Sequence, residues 1–279
     1  MATVRAGRGL VRYLRMYVVP PRYRGAPRLT LTTADGVRLN AWRLSGPTSA
    51  RYTVVLVHGF VNSSRSPAIH AFAHRLARQA HVIVPDMRGH GRSGGRCSMG
   101  RHEPLDVAAA VAAARPDLPV ITVGTSLGGA AVLLHAGTAG PGGSVAGVVA
   151  VSAPAWGELD RIGSRRARRW VSGRTSRAAL ALLLHTRVGP DCIFLPEAGE
   201  VVARIAPAFT LVVHDPEDRY FGPDHAEAIH RWAGPPKDLW WYHGLGHGTD
   251  LLTPAFGDRL LAELDRRLSG GRGDRPAKP

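Results

Sequence analysis

The stretch Val120–Gly129, VITVGTSLGG, sets a serine between two elements in the way nucleophilic chemistry requires. Val120-Ile121-Thr122-Val123 is a short β-branched run and reads as a buried strand, and the Ala/Leu-rich stretch from Gly129 to Ala136 reads as a helix. Between them lies Gly124-Thr125-Ser126-Leu127-Gly128. A G-x-S-x-G turn joining strand to helix strains the serine backbone and holds its Oγ clear of the sheet. Gly124, Gly128 and Gly129 lack the Cβ atoms that would collide where strand and helix nearly touch. The helix start offers free N–H groups and a partial positive charge, so it can stabilise an oxyanion. A pentapeptide of this kind also arises by chance in a chain with 33 glycines, so its partners elsewhere must decide.

A serine hydroxyl is a poor nucleophile until a base takes its proton, and the base needs an acid to orient it. Two later stretches offer such groups. His214-Asp215-Pro216-Glu217-Asp218 follows a predicted strand, Phe209 to Val213, and His243-Gly244-Leu245-Gly246-His247-Gly248 follows another, Leu239 to Tyr242. Both fall where α/β sheets place their sites, beyond the carboxyl ends of strands. Asp215 and Asp218 compete as the acid, and His247 and His243 as the base.

The elements that must position these groups alternate. Leu29 to Thr33 and Val37 to Leu44 read as strands joined at Asp35-Gly36, a strong hairpin signal. Strands Thr53 to Val57, His81 to Val84 and Ser144 to Val151 alternate with helices Ala68 to Gln79 and Pro104 to Arg115. After an insertion the pattern resumes with helices Pro223 to Trp232 and Pro254 to Leu268. Such alternation implies a mostly parallel sheet covered on both faces.

In chain order, Leu56-Val57-His58-Gly59-Phe60, Asp86-Met87-Arg88-Gly89-His90-Gly91-Arg92-Ser93, the Ser126 turn, the aspartate loop and Gly246-His247 together resemble the α/β-hydrolase superfamily, of the esterase, lipase and peptidase kind. The resemblance runs from about Thr53 to the final helix. It implies the α/β-hydrolase fold: a mostly parallel, doubly wound sheet with a short helical lid insertion. It also implies Ser126 as nucleophile, His247 as general base and Asp218 as orienting acid, with the backbone N–H groups of Phe60 and Leu127 as the oxyanion hole. The family commonly has a glycine, two variable residues and then the acid; here Asp215 stands in the glycine's place and Asp218 in the acid's. His58 and His90 are expected to shape loops through ring hydrogen bonds. The reaction this implies is hydrolysis of an acyl ester or thioester through an acyl-enzyme. Acyl transfer to an alcohol or amine, and ligand binding without turnover, are the alternatives on the same fold.

With 279 residues, 44% hydrophobic and 20% charged, the chain suits one large α/β domain. We divide it into a basic arm (1–27), a hydrolase domain (28–268) with a lid-like, arginine-rich insertion at about 156–206, and a tail (269–279) whose composition predicts disorder. If the segment Trp156 to Leu195 is a lid over Ser126, its arginines favour substrates with an anionic part and its apolar run, Ala178 to Leu184, meets the acyl chain; the alternative is a solvated arginine face. No cofactor or metal is implied: there is no Walker loop, no G-x-G-x-x-G after the first strand and no cluster of ligands. No apolar run is long enough to span a bilayer, and the basic N-terminus lacks a cleavage signal. Cys97 and Cys192 make no disulfide framework, so a reducing cytoplasm is the expected setting. The formal charge of +15, nearly all from arginine, draws polyanions. Without interleaved aromatics it predicts no specific nucleic-acid binding. The arm, with Val11, Leu14 and Val18 on one helical face, either lies weakly on an anionic membrane surface or packs on its own domain.

Overall fold

A computed structural model of the protein describes residues 14–157, 171, 173–190 and 198–269. Eight strands form one sheet: β1 (Arg28–Thr32), β2 (Arg38–Leu44), β3 (Thr53–Val57), β4 (His81–Pro85), β5 (Val120–Thr125), β6 (Gly147–Val151), β7 (Phe209–His214) and β8 (Lys237–Trp241), in the order β1-β2-β4-β3-β5-β6-β7-β8. β1 and β2 form the expected hairpin, β2 runs antiparallel to β4, and every other pairing is parallel. From β3 the chain first moves outward to β4 and then returns to the other side of β3 to form β5. The carboxyl ends of β3 and β5 therefore flank the crevice where a doubly wound sheet binds its ligands.

The sequence pattern explains the layers. All five residues of β3 are buried, with Val55 and Val57 in one core and Val54 and Leu56 in the other. A strand covered on both faces loses the apolar–polar alternation and becomes a continuous Val/Leu run. Each such side chain contributes about 1.5–3 kcal/mol by leaving water. The covering helices are α1 (Pro67–Leu76), α2 (Glu103–Ala112), α3 (Leu127–Ala139), α6 (Pro223–Trp232) and α7 (Pro254–Ser269), with α4 (Arg174–Leu183) and the single turn α5 (Gly199–Val202) in the insertion. α3 is apolar almost all round and is buried almost throughout, as a helix without a polar stripe must be. On the opposite face α1 meets α7, where Phe72 stacks on Phe256 at 5.5 Å.

Some boundaries differ from the sequence expectation. The helix after Ser126 starts at Leu127 rather than Gly129, because its first glycines serve a close approach to the sheet and do not break the helix. β6 starts at Gly147 rather than Ser144. Residues 198–205 of the insertion pack into the main core: Ala198, Val202 and Ile205 are buried there, and a Cβ on Gly137 of α3 would meet the Val201 carbonyl. Bridges from His90 to Thr186 and from Cys97 to Val188, with the Arg187 guanidinium donating to the Ser93 carbonyl, fasten the segment after α4 to the loop after β4. Arg161, Arg165, Arg166, Arg168 and Arg169 of the expected lid, Cys192, the first half of the basic arm and the tail beyond Ser269 lie outside the described residues. Among the described residues no helix is long and apolar enough to cross a membrane.

Candidate active site

Ser126 sits between the last residue of β5 and the first of α3, with φ 53° and ψ −118°, a backbone state that L residues avoid. Three features hold it there. Its N–H donates to the Val151 carbonyl at 2.8 Å, and its carbonyl accepts from Ala130 N–H at 3.0 Å. The third is the pair of glycines around it: a Cβ on Gly124 would stand 2.2 Å from the Gly128 carbonyl oxygen, and one on Gly128 2.5 Å from the His58 carbonyl oxygen. With side chains at those positions α3 could not come down onto β3 and β5.

The other groups converge from the carboxyl ends of β7 and β8. His247 Nε2 lies 2.9 Å from Ser126 Oγ, and its Nδ1 lies 2.6 Å from Asp218 Oδ2. A carboxylate only accepts, so Nδ1 carries the hydrogen and Nε2 is left to accept from the serine hydroxyl. Asp218 is fully buried, and its Oδ1 accepts from Tyr220 N–H at 2.7 Å. The rings of Tyr220 and Phe221 lie 4.6 and 5.5 Å from the His247 ring and wall it in from the aspartate side.

Asp215 faces elsewhere. Its Oδ2 accepts from Leu245 N–H at 2.6 Å and Gly246 N–H at 2.7 Å, and its Oδ1 accepts from Glu217 N–H at 2.9 Å. Burial opposes its ionisation, but these N–H groups outweigh burial and hold its carboxyl below the usual range. Asp215 is thus the clamp between its own loop and the glycine turn that carries His247. The sequence offered it only as a rival acid standing in the family glycine's place, and Ser152 was missed altogether. Ser152, just past β6 and with φ 49°, accepts from Gly248 N–H at 3.0 Å through its Oγ and ties the far side of the same turn. Its place beyond a strand's carboxyl end was the signal available.

Leu127 is the first residue of α3, so its N–H has no intrahelical acceptor. Phe60 follows β3, and among the described residues its N–H has no hydrogen-bond partner. A Cβ on Gly59 would stand 3.1 Å from Ser126 Cβ, which measures how closely this loop abuts the serine turn. Two buried histidines shape it. His58 Nε2 accepts from Met87 N–H at 3.0 Å while Nδ1 donates to the Gly59 carbonyl at 2.8 Å. His90 Nε2 accepts from Val61 N–H at 3.3 Å while Nδ1 donates to the Arg88 carbonyl at 3.0 Å. Both rings are neutral, because burial pushes the His58 pKa down and that of His90 down to about 3. Asp86 adds a third tie, accepting from Ser64 N–H at 2.7 Å and from Arg92 N–H at 3.0 Å. Among the described residues, no three His, Cys, Asp or Glu side chains gather as a metal would need.

The sheet order and the crevice between β3 and β5 define an α/β-hydrolase fold. Solved structures agree: the α/β hydrolase GrgF of Penicillium sp. sh18 superposes with a TM-score of 0.67 at 18% identity, over 88% of this chain and 99% of that one. An esterase of Pyrococcus furiosus gives 0.65 at 19% identity, over 90% and 98%. One from a Rhodococcus species gives 0.65 at 22%, over 87% and 98%. No curated protein matches the sequence. The family model described as "Serine aminopeptidase, S33" matches residues 48–195, more than half of the chain, and the protein belongs to that family.

Proposed function

We propose that the protein is a serine hydrolase that cleaves an acyl ester or thioester through an acyl-enzyme. The observation that carries this reading is the continuous relay from Asp218 through His247 to Ser126, at 2.6 and 2.9 Å. Ser126 Oγ attacks the acyl carbon as His247 Nε2 takes its proton. The resulting imidazolium is held by buried Asp218, and the negative oxygen of the tetrahedral intermediate points at the N–H groups of Leu127 and Phe60. His247 then protonates the leaving alcohol or thiol, and a water deprotonated by the same nitrogen releases the acid. An ester or thioester fits better than an amide, whose leaving nitrogen depends more on a precisely placed acid.

The test is labelling with a fluorophosphonate, together with hydrolysis of p-nitrophenyl esters of graded acyl length and of aminoacyl p-nitroanilides. We expect the label on Ser126, ester cleavage, and a loss of about 10⁴–10⁶ in kcat for Ser126→Ala in a protein that still folds. Near-normal esterase activity in folded Ser126→Ala removes the serine from the mechanism. Anilides cleaved in preference to esters would make the protein a peptidase.

A further inference from the structure

Among the described residues the exposed large apolar side chains are Val18 and Val19, 57% and 68% exposed, and Leu182 and Leu183, 78% and 51% exposed. The two pairs belong to distant parts of the sequence but flank one contact. The ring of Tyr17, beside Val18, lies 6.3 Å from the ring of His185, just past α4. The Tyr17 hydroxyl also donates to the Val61 carbonyl at 2.5 Å, one residue beyond Phe60. The apolar patch therefore stands at the rim of the serine site. α4 has the makings of a surface helix turned inside out: Arg174 opens it, and of its apolar run only Leu180 is buried.

The segments that carry this patch are basic, with the buried Asp86 carboxylate beneath them. Residues 14–27, 60–66, 87–102 and 173–190 contain no Asp or Glu. Arg22, Arg92, Arg174 and Arg187 are exposed, and the Arg65 guanidinium ties the arm to the loop after β3 by donating to the carbonyls of Pro20 and Pro21 at 2.9 and 2.8 Å. Burial, then the charges of Arg92 and Arg22, lowers the Arg65 pKa, against the opposing pull of Asp86.

Exposed aliphatic side chains ringed by arginine match the two layers of an anionic membrane surface: valine and leucine enter the acyl boundary while guanidinium groups meet phosphates. A nucleic acid offers the phosphates but leaves the aliphatic groups in water. A second copy of this face would set arginine against arginine. We propose that this face docks on an anionic lipid bilayer and that Ser126 acts on an acyl ester drawn from that bilayer. The second part rests on the serine-hydrolase reading; the docking does not.

The experiment separates the two by using full-length Ser126→Ala protein in co-sedimentation with vesicles of phosphatidylcholine alone or mixed with phosphatidylglycerol. We expect binding to the mixed vesicles, little to the neutral ones, and a loss of about tenfold or more when Val18, Val19, Leu182 and Leu183 are all replaced by Ser. In the Ser126-intact background the same four replacements should spare hydrolysis of a water-soluble short-chain ester and lower that of a vesicle-borne one. Absence of binding to the anionic vesicles overturns the proposal. So does binding that the four replacements leave unchanged, which is adsorption by charge alone. Concentration-dependent self-association without lipid, abolished by the same replacements, would make the patch a dimer face and also overturn it. Vesicle binding in a protein that cleaves no soluble ester would reject the hydrolase reading and leave the docking standing.

Discussion

At the residue scale the two aspartates of one loop divide the labour. Asp218 touches the imidazole, whereas Asp215 touches only backbone N–H groups, two of them in the turn that carries His247. Replacing Asp218 with Asn puts an amide where a carboxylate must accept the Nδ1 hydrogen, which favours the wrong tautomer. We expect Asp218→Asn to lower kcat by about 10⁴ with little change in melting temperature. Asp215→Asn turns an NH₂ either toward both of those N–H groups, which share Oδ2, or toward that of Glu217 at Oδ1, and the penalty falls on the fold, on the order of 1–3 kcal/mol. Its effect on kcat should be smaller, because His247 keeps its own partners. Measuring kcat and melting temperature for both variants checks the assignment; the reverse pattern would move the acid to Asp215.

At the scale of elements, the site exists because α3 descends almost onto β5. Gly124→Ala would put a methyl group 2.2 Å from the Gly128 carbonyl oxygen, a backbone atom that cannot swing aside. The strand and helix must part, and Ser126 loses its hydrogen bond to Val151. We expect a loss of about 3 kcal/mol or more in urea unfolding, at the upper end of overpacking effects. Gly189→Ala is the control: its Cβ would meet nothing closer than 3.5 Å, so its unfolding midpoint should stay near that of the wild type. Equal stability of the two variants would show that the close approach does not hold α3 in place.

At the scale of the molecule, the loops that surround the serine are built on buried neutral histidines, and this sets the response to acid. In the unfolded chain a histidine takes a proton at about pH 6.5. In the folded protein His58 and His90 resist it, His90 down to about 3. Over that interval the unfolded state binds more protons at these two rings, so their contribution to stability falls as the pH falls, while Asp106, its carboxyl pushed up to about 7 by burial, works in the opposite direction. The Asp215 carboxylate, held below its ordinary pKa, acts in the same direction as the rings at still lower pH. Melting temperatures followed from about pH 8 to about pH 4 should be level at first and decline steadily below about pH 6.5. A profile that stays flat or rises toward pH 4 would mean that the two rings do not dominate and that Asp106 outweighs them.

Much of this molecule was legible in the chain because its signals are local. A β-branched run ending in glycine, the turn around Ser126 and the Asp35-Gly36 hairpin each depend on neighbours a few residues away, so strand, turn and helix could be placed from the sequence alone. His247 stood out by the glycines beside it, and both of them, Gly246 and Gly248, have positive φ. The residues alone left Asp215 and Asp218 as rivals and the resemblance named Asp218; which carboxylate faces a ring delivered by another strand is visible only in the tertiary structure. The role of Ser152 had the same obstacle, because its partner Gly248 is distant in sequence and joins it only through the order of β6, β7 and β8. The sequence offered Val18 to a membrane face and Leu182 to an acyl chain, but that both stay exposed beside one contact follows from how the arm and α4 meet at Tyr17 and His185.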